Sequence, residues 1–219
     1  ALPISLVFSR SNFSSPDNGV PTLLSWDEAV TLFQSFGEVL QGLSARVPYP
    51  SQAKRRGDLD FAEFPSYLMP EWLLTDRIMK QFVLHYQTGK PIPESLVNKI
   101  RKAADFNQGL RSVEFLSAAI LELKISLAKE KVDTRKFEKE ILAALGMPRQ
   151  IWMRPRIPHF HELFKQGAPY YHTLWAEALA ADAAELFLGK KEGFFDKVAN
   201  QSFFENILSV GDTREAADA

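Results

Sequence analysis

Apolar residues recur at helical spacing through most of the chain, and Gly and Pro mark the breaks between runs. Ser25-Trp26-Asp27-Glu28 is a capping-box pattern with Leu24 in the staple position. Val30, Phe33, Phe36-Gly37 and Leu40 follow at helical spacing, so the first helix should bury one face. Residues 59–85 read as a second helical stretch, turned or kinked early by Pro65 and Pro70. Gly89 to Pro93 breaks it. Pro93-Glu94 opens another helix, with Pro in the first turn and an acid near the positive end of the dipole. Gly109 is expected to interrupt this helix, which resumes over residues 113–131. Residues 133–145 form a short amphipathic helix that stops at Gly146. The segment 147–158 holds three prolines and reads as a connector. Residues 168–188 and 193–208 are the last two helices. At the start, residues 2–8 form a short apolar run, an edge strand or an extended arm, and residues 11–21 a loop. The pattern predicts an all-α chain: arm and loop over 1–24, one helical domain over 25–210, and a polar tail over 211–219.

Composition narrows the function classes. The 219 residues are 46% hydrophobic and 24% charged, which suits a globular protein with a sizeable core. A net charge of -1 gives no electrostatic case for nucleic acid. With no cysteine, disulfides, thiolate metal sites and cysteine nucleophiles are excluded. No run of about 18 apolar residues exists, so no transmembrane helix is expected. The chain opens on Ala1 rather than Met, and a processing boundary is the expectation there.

Several segments, in order, resemble one family. They are Pro21-Thr-Leu-Leu-Ser-Trp-Asp-Glu-Ala-Val-Thr-Leu-Phe33, Asp60-Phe-Ala-Glu-Phe-Pro-Ser-Tyr-Leu-Met-Pro-Glu-Trp72 and His85-Tyr-Gln-Thr-Gly-Lys-Pro-Ile-Pro93. Phe106-Asn-Gln-Gly109, Leu121-Glu-Leu123, Tyr170-Tyr-His-Thr-Leu-Trp-Ala-Glu-Ala-Leu-Ala-Ala-Asp182 and Asn206-Ile-Leu-Ser-Val-Gly211 continue the series. Together they resemble the C-terminal catalytic half of the thimet oligopeptidase and oligopeptidase A family of zinc metallopeptidases, leaning toward the organellar and bacterial oligopeptidase A branch. The resemblance spans almost the whole chain and implies a compact, zincin-like helical lobe.

It also implies a site that this chain has altered. The family places two histidines one helical turn apart on zinc, in a His-Glu-Phe-Gly-His motif, with the glutamate as the base for bound water. Here the motif reads Gln34-Ser35-Phe36-Gly37-Glu38. The family's third ligand, a glutamate on the next helix, is retained as Glu63. The interval from 34 to 63 matches the family without a gap, so misalignment does not account for the change. An amide is a poor zinc ligand and a hydroxyl cannot act as a carboxylate base. Glu38 and Glu63 could meet across two helices around a hard cation, though solvated or ion-paired carboxylates are commoner. The implied substrate side is eroded as well. His161 takes the family's histidine position, Lys165-Gln166 stands near its Gly-Gly-Tyr loop, Tyr170 is kept, and Thr173 replaces a tyrosine. Each lost oxyanion donor removes about 3 kcal/mol of transition-state stabilisation.

Other features are read more simply. His85, His159, His161 and His172 lack a converging set of acids, so they read as core or surface residues rather than ligands. Lys54-Arg55-Arg56 reads as a solvated turn that could dock an acidic partner. No catalytic residue, metal or cofactor is therefore expected. The expected role is a non-catalytic subunit of a larger assembly, with other protein subunits as partners and an organelle, chloroplast or mitochondrion, as its place. A groove near Phe36, Glu63, His161 and Tyr170 that holds peptides without cutting them is the alternative. An active peptidase with an atypical metal site is a third.

Overall fold

The structure is a computed structural model that describes residues 6–13, 21–53, 59–148, 156–164 and 167–214. The chain is all-α. No strand occurs among the described residues; there is an isolated antiparallel bridge between Leu84 and Pro91. Residues 6–10 run without regular structure, and the rest of the expected arm lies outside the described residues, as do Lys54-Arg55-Arg56 and Lys165-Gln166. No described helix is long and apolar enough to cross a membrane.

The helices are α1 (Trp26–Ser44), α2 (Leu59–Leu68), α3 (Pro70–Leu73), α4 (Asp76–Gln81), α5 (Glu94–Asp105), α6 (Gln108–Ser126), α7 (Thr134–Ala144), α8 (His172–Leu188) and α9 (Lys197–Phe203). The first helix starts where its capping box predicts. Ser25 Oγ accepts from the Glu28 N–H at 3.2 Å, and Glu28 Oε2 accepts from the Ser25 N–H at 2.7 Å. Asp133 caps α7 by accepting from the Arg135 and Lys136 N–H groups, and Gly146 (φ 72°) follows its end.

Three expected helices differ. The stretch 59–85 is three helices, because Pro70 starts a new one and Thr75 caps the next by accepting from the Ile78 N–H. Its end folds into a turn instead, where His85 Nδ1 accepts from the Gln87 and Thr88 N–H groups, each at 3.3 Å. Gly109 does not break a helix. The break falls at Asn107, whose left-handed φ of 58° separates α5 from α6. The stretch 193–208 is a 3-10 turn, α9 and a π-helical turn over Phe204–Leu208.

Two compact units result, Ala1–Lys99 with Leu174–Ala219, and Ile100–Thr173. The core of the first sets Phe61, Phe64 and Leu68 of α2 and the following Met69 against Ala176, Ala180, Ala184 and Phe187 of α8, with Phe194 and Phe203. Alanines at four-residue spacing give α8 a smooth face that larger aromatic side chains can fill. Gly211 is buried beside Gln52, whose carbonyl accepts from the Asp212 N–H at 2.8 Å. The core of the second unit is Ala118 and Leu121 of α6, Ile141 of α7, Ile157 and Phe160.

Candidate functional site

The altered motif lies on α1, and the retained glutamate on α2. The two helices meet at Gly37. A β-carbon on Gly37 would lie 2.7 Å from the Pro65 carbonyl oxygen and 2.7 Å from Ser66 Cα. Only glycine allows backbones to approach so closely. Gln34, Ser35 and Glu38 stand within one turn of this contact on α1, and Glu63 stands two residues before Pro65 on α2. Gln34, Ser35 and Glu63 are half-buried, while Glu38 and Phe36 are exposed.

A cleft of about 500 Å³ opens along α1. Ser35, Glu38 and the buried Gln41 line one side, and residues 6–10 line the other. Gly42 lets the arm settle on the helix, since a β-carbon there would lie 3.0 Å from a Val7 methyl. Gln34, Phe36 and Glu63 do not line this cleft.

The four motif positions Gln34, Ser35, Glu38 and Glu63 supply an amide, a hydroxyl and two carboxylates, with no imidazole. Structural and catalytic zinc sites take three or four His, Cys or carboxylate ligands. Among the described residues, no group of three or more His, Asp or Glu side chains is placed to hold a metal ion. This donor set does not fit a zinc ion.

The other two groove positions, His161 and Tyr170, belong to the second unit. His161 is exposed, in a 3-10 turn over His161–Phe164. Tyr170 is engaged in packing. Its ring stacks on Phe115 at 4.5 Å and meets Phe160 edge-on at 4.8 Å. Its N–H donates to Glu122 Oε2 at 2.7 Å. Glu122 is 1% exposed, and its Oε1 has no hydrogen-bond partner among the described residues. Burial raises its pKa, the Tyr170 N–H lowers it, Glu162 raises it and His172 lowers it. In the sequence Glu122 stands only as the middle residue of Leu121-Glu-Leu123, with no role implied. A charged residue inside an apolar helical run was the available sign. His159 is exposed, His172 Nδ1 contacts the Pro169 carbonyl, and His85 organises its own turn.

The helical lobe that sets the motif helix against the glutamate-bearing helix at Gly37 is that of a peptidase family. The chain belongs to peptidase family M3, whose description, "Peptidase family M3", matches residues 2–219. It is 34% identical to a dipeptidyl carboxypeptidase of Escherichia coli K12 over 216 residues, covering 96% of this chain and 31% of that protein. It is 33% identical to oligopeptidase A of the same organism over 222 residues, covering 97% of this chain and 32% of that protein. A mitochondrial intermediate peptidase of Candida glabrata is 27% identical over 216 residues, covering 95% of this chain and 28% of that protein. The chain thus spans about a third of the length of the curated relatives it matches.

Proposed function

We propose that this chain is a non-catalytic member of family M3 that acts as a structural or interaction subunit of a larger protein assembly. One observation carries the reading. The α1–α2 contact at Gly37 keeps its close backbone fit, while the positions beside it read Gln34, Ser35 and Glu38 in place of ligands and base. Selection that maintained the hydrolase would have held the second set at least as firmly as the first. Exposed Leu6, Phe8, Leu23 and Leu43 on the same unit offer apolar surface for other subunits.

Native purification, with mass spectrometry and metal analysis of one sample, tests this. Fixed partners at constant stoichiometry and no bound zinc are expected. A free monomer with about one zinc per chain would return the protein to the active peptidases, the class its relatives are named for.

The cleft along α1 favours a second reading, a module that holds peptides without cutting them. Saturable peptide binding by a monomer, lost on filling the cleft through Gly42→Leu, would establish it. Chelator-sensitive peptide cleavage would instead establish an atypical metal site.

A further inference from the structure

Tyr170 belongs to a short strap, residues 167–172, on which three observations converge. Its backbone is strained at Ala168, whose φ of 55° is a left-handed value that L-residues seldom adopt. Its ring is wedged, stacked on Phe115 of α6 and edge-on to the fully buried Phe160. Its N–H is clasped by Glu122 Oε2 at 2.7 Å, from 48 residues away in sequence. At one end Gly167 faces open space, since a β-carbon there would meet nothing within 4 Å. At the other, the Pro169 carbonyl accepts from the His172 N–H at 2.9 Å, so residues 169–172 hold together as one turn.

The clasp is the point that can give way. Glu122 is buried, and its Oε1 has no hydrogen-bond partner among the described residues. An ionised carboxylate enclosed in this way loses water at one oxygen and receives nothing in return. Burial is the largest influence on the group, and it favours the protonated form. The titratable groups facing it are Glu162 of the turn over His161–Phe164, which opposes ionisation, and His172 at the start of α8, which favours it. Glu114, two turns earlier on α6, acts on the Tyr170 phenol. Ionisation therefore favours any arrangement that lets water reach Oε1. Moving α6 would break the core of Ala118 and Leu121. Moving the strap instead relieves the strain at Ala168.

We propose that residues 167–172 form a strap that Glu122 clasps onto α6, closed while the Glu122 carboxyl is protonated and opening locally when it ionises. Opening carries the Tyr170 ring off Phe115 and Phe160. This does not depend on the state of the motif on α1.

Amide exchange followed by NMR reads the strap directly, as protection factors with the intrinsic rate divided out. Above the ordinary carboxyl value of 4.5, protection of the Tyr170 N–H should fall by up to about tenfold per pH unit, because each opening releases one proton. The fall should level off once the closed form ionises as well. The opening should be local. The Ala118 and Leu121 amides should stay better protected at every pH, and low urea should weaken their protection while leaving that of Tyr170 unchanged. Glu122→Gln should flatten the pH dependence at Tyr170. If that variant fails to fold, Ala168→Gly decides. It should raise Tyr170 protection by about two- to fivefold and keep the pH slope. Tyr170 protection independent of pH in the unmodified chain would overturn the proposal. So would exchange at Tyr170 that matches Leu121 in level and urea dependence, an unchanged slope in Glu122→Gln, or no added protection in Ala168→Gly.

Discussion

Gly37 and Pro65 meet backbone to backbone, with 2.7 Å between the place of a β-carbon on Gly37 and the Pro65 carbonyl oxygen. The contact holds the helix of Gln34, Ser35 and Glu38 against the helix of Glu63. Gly37→Ala must push α1 and α2 apart, and overpacking of this kind costs about 1–3 kcal/mol. The expected outcome is a lower denaturation midpoint with helical content kept. A midpoint at the level of the unmodified chain would mean that the helices separate freely.

Restoring the family residues tests whether the scaffold still fits a metal. The triple variant Gln34→His, Ser35→Glu and Glu38→His should bind about one zinc per chain, with Glu63 as the third protein ligand. Metal analysis after dialysis is the measurement. Adding Glu63→Ala should abolish the binding. A triple variant that stays zinc-free would show that the α1–α2 spacing has drifted along with the residues.

Glu122 should make stability depend on pH. Burial raises its pKa above the ordinary 4.5, so the folded chain holds this proton to higher pH than the unfolded chain does. The native state then binds more protons between the unfolded and folded pKa values, and stability falls as pH rises through that window. Glu122→Gln removes the titration yet keeps an oxygen for the Tyr170 N–H. Urea denaturation from pH 4.5 upward should therefore show a flatter profile for this variant. Glu122→Leu leaves that N–H without a partner and should cost about 1–3 kcal/mol.

Two left-handed positions should respond in opposite directions. Ala168 has φ 55°, where an L-residue costs about 1–2 kcal/mol. Ala168→Gly should stabilise by about 0.5–1 kcal/mol after the entropy of a freer unfolded chain is subtracted. Gly211 has φ 53°, and a β-carbon there would overlap the Gln52 carbonyl oxygen and lie 2.8 Å from Val47. Gly211→Ala should destabilise by more than 2 kcal/mol, roughly the sum of strain and overpacking. Thermal melts of both variants decide the signs.

The helical class, the caps at Ser25 and Asp133 and the stop at Gly146 were legible because short-range chemistry sets them. The helix boundaries at 70, 81 and 107 were less so. Pro70, where the pattern predicts a turn or kink within one helix, starts a new helix, and the break expected at Gly109 falls at Asn107. A residue's propensity permits a left-handed turn; its neighbours determine whether one forms.

The sequence by itself determined the family, the helical class and the identity of the altered motif. Each rests on residue type at fixed spacing along one chain. Only the tertiary structure decided that Gly37 is a backbone contact and that Ser35 and Glu38 face a cleft while Gln34 and Glu63 do not. It also decided that Tyr170 is held by Glu122, 48 residues away in sequence. Such relationships join segments distant in sequence. They depend on which faces pack together, and helical periodicity in one segment does not specify the partner of its face.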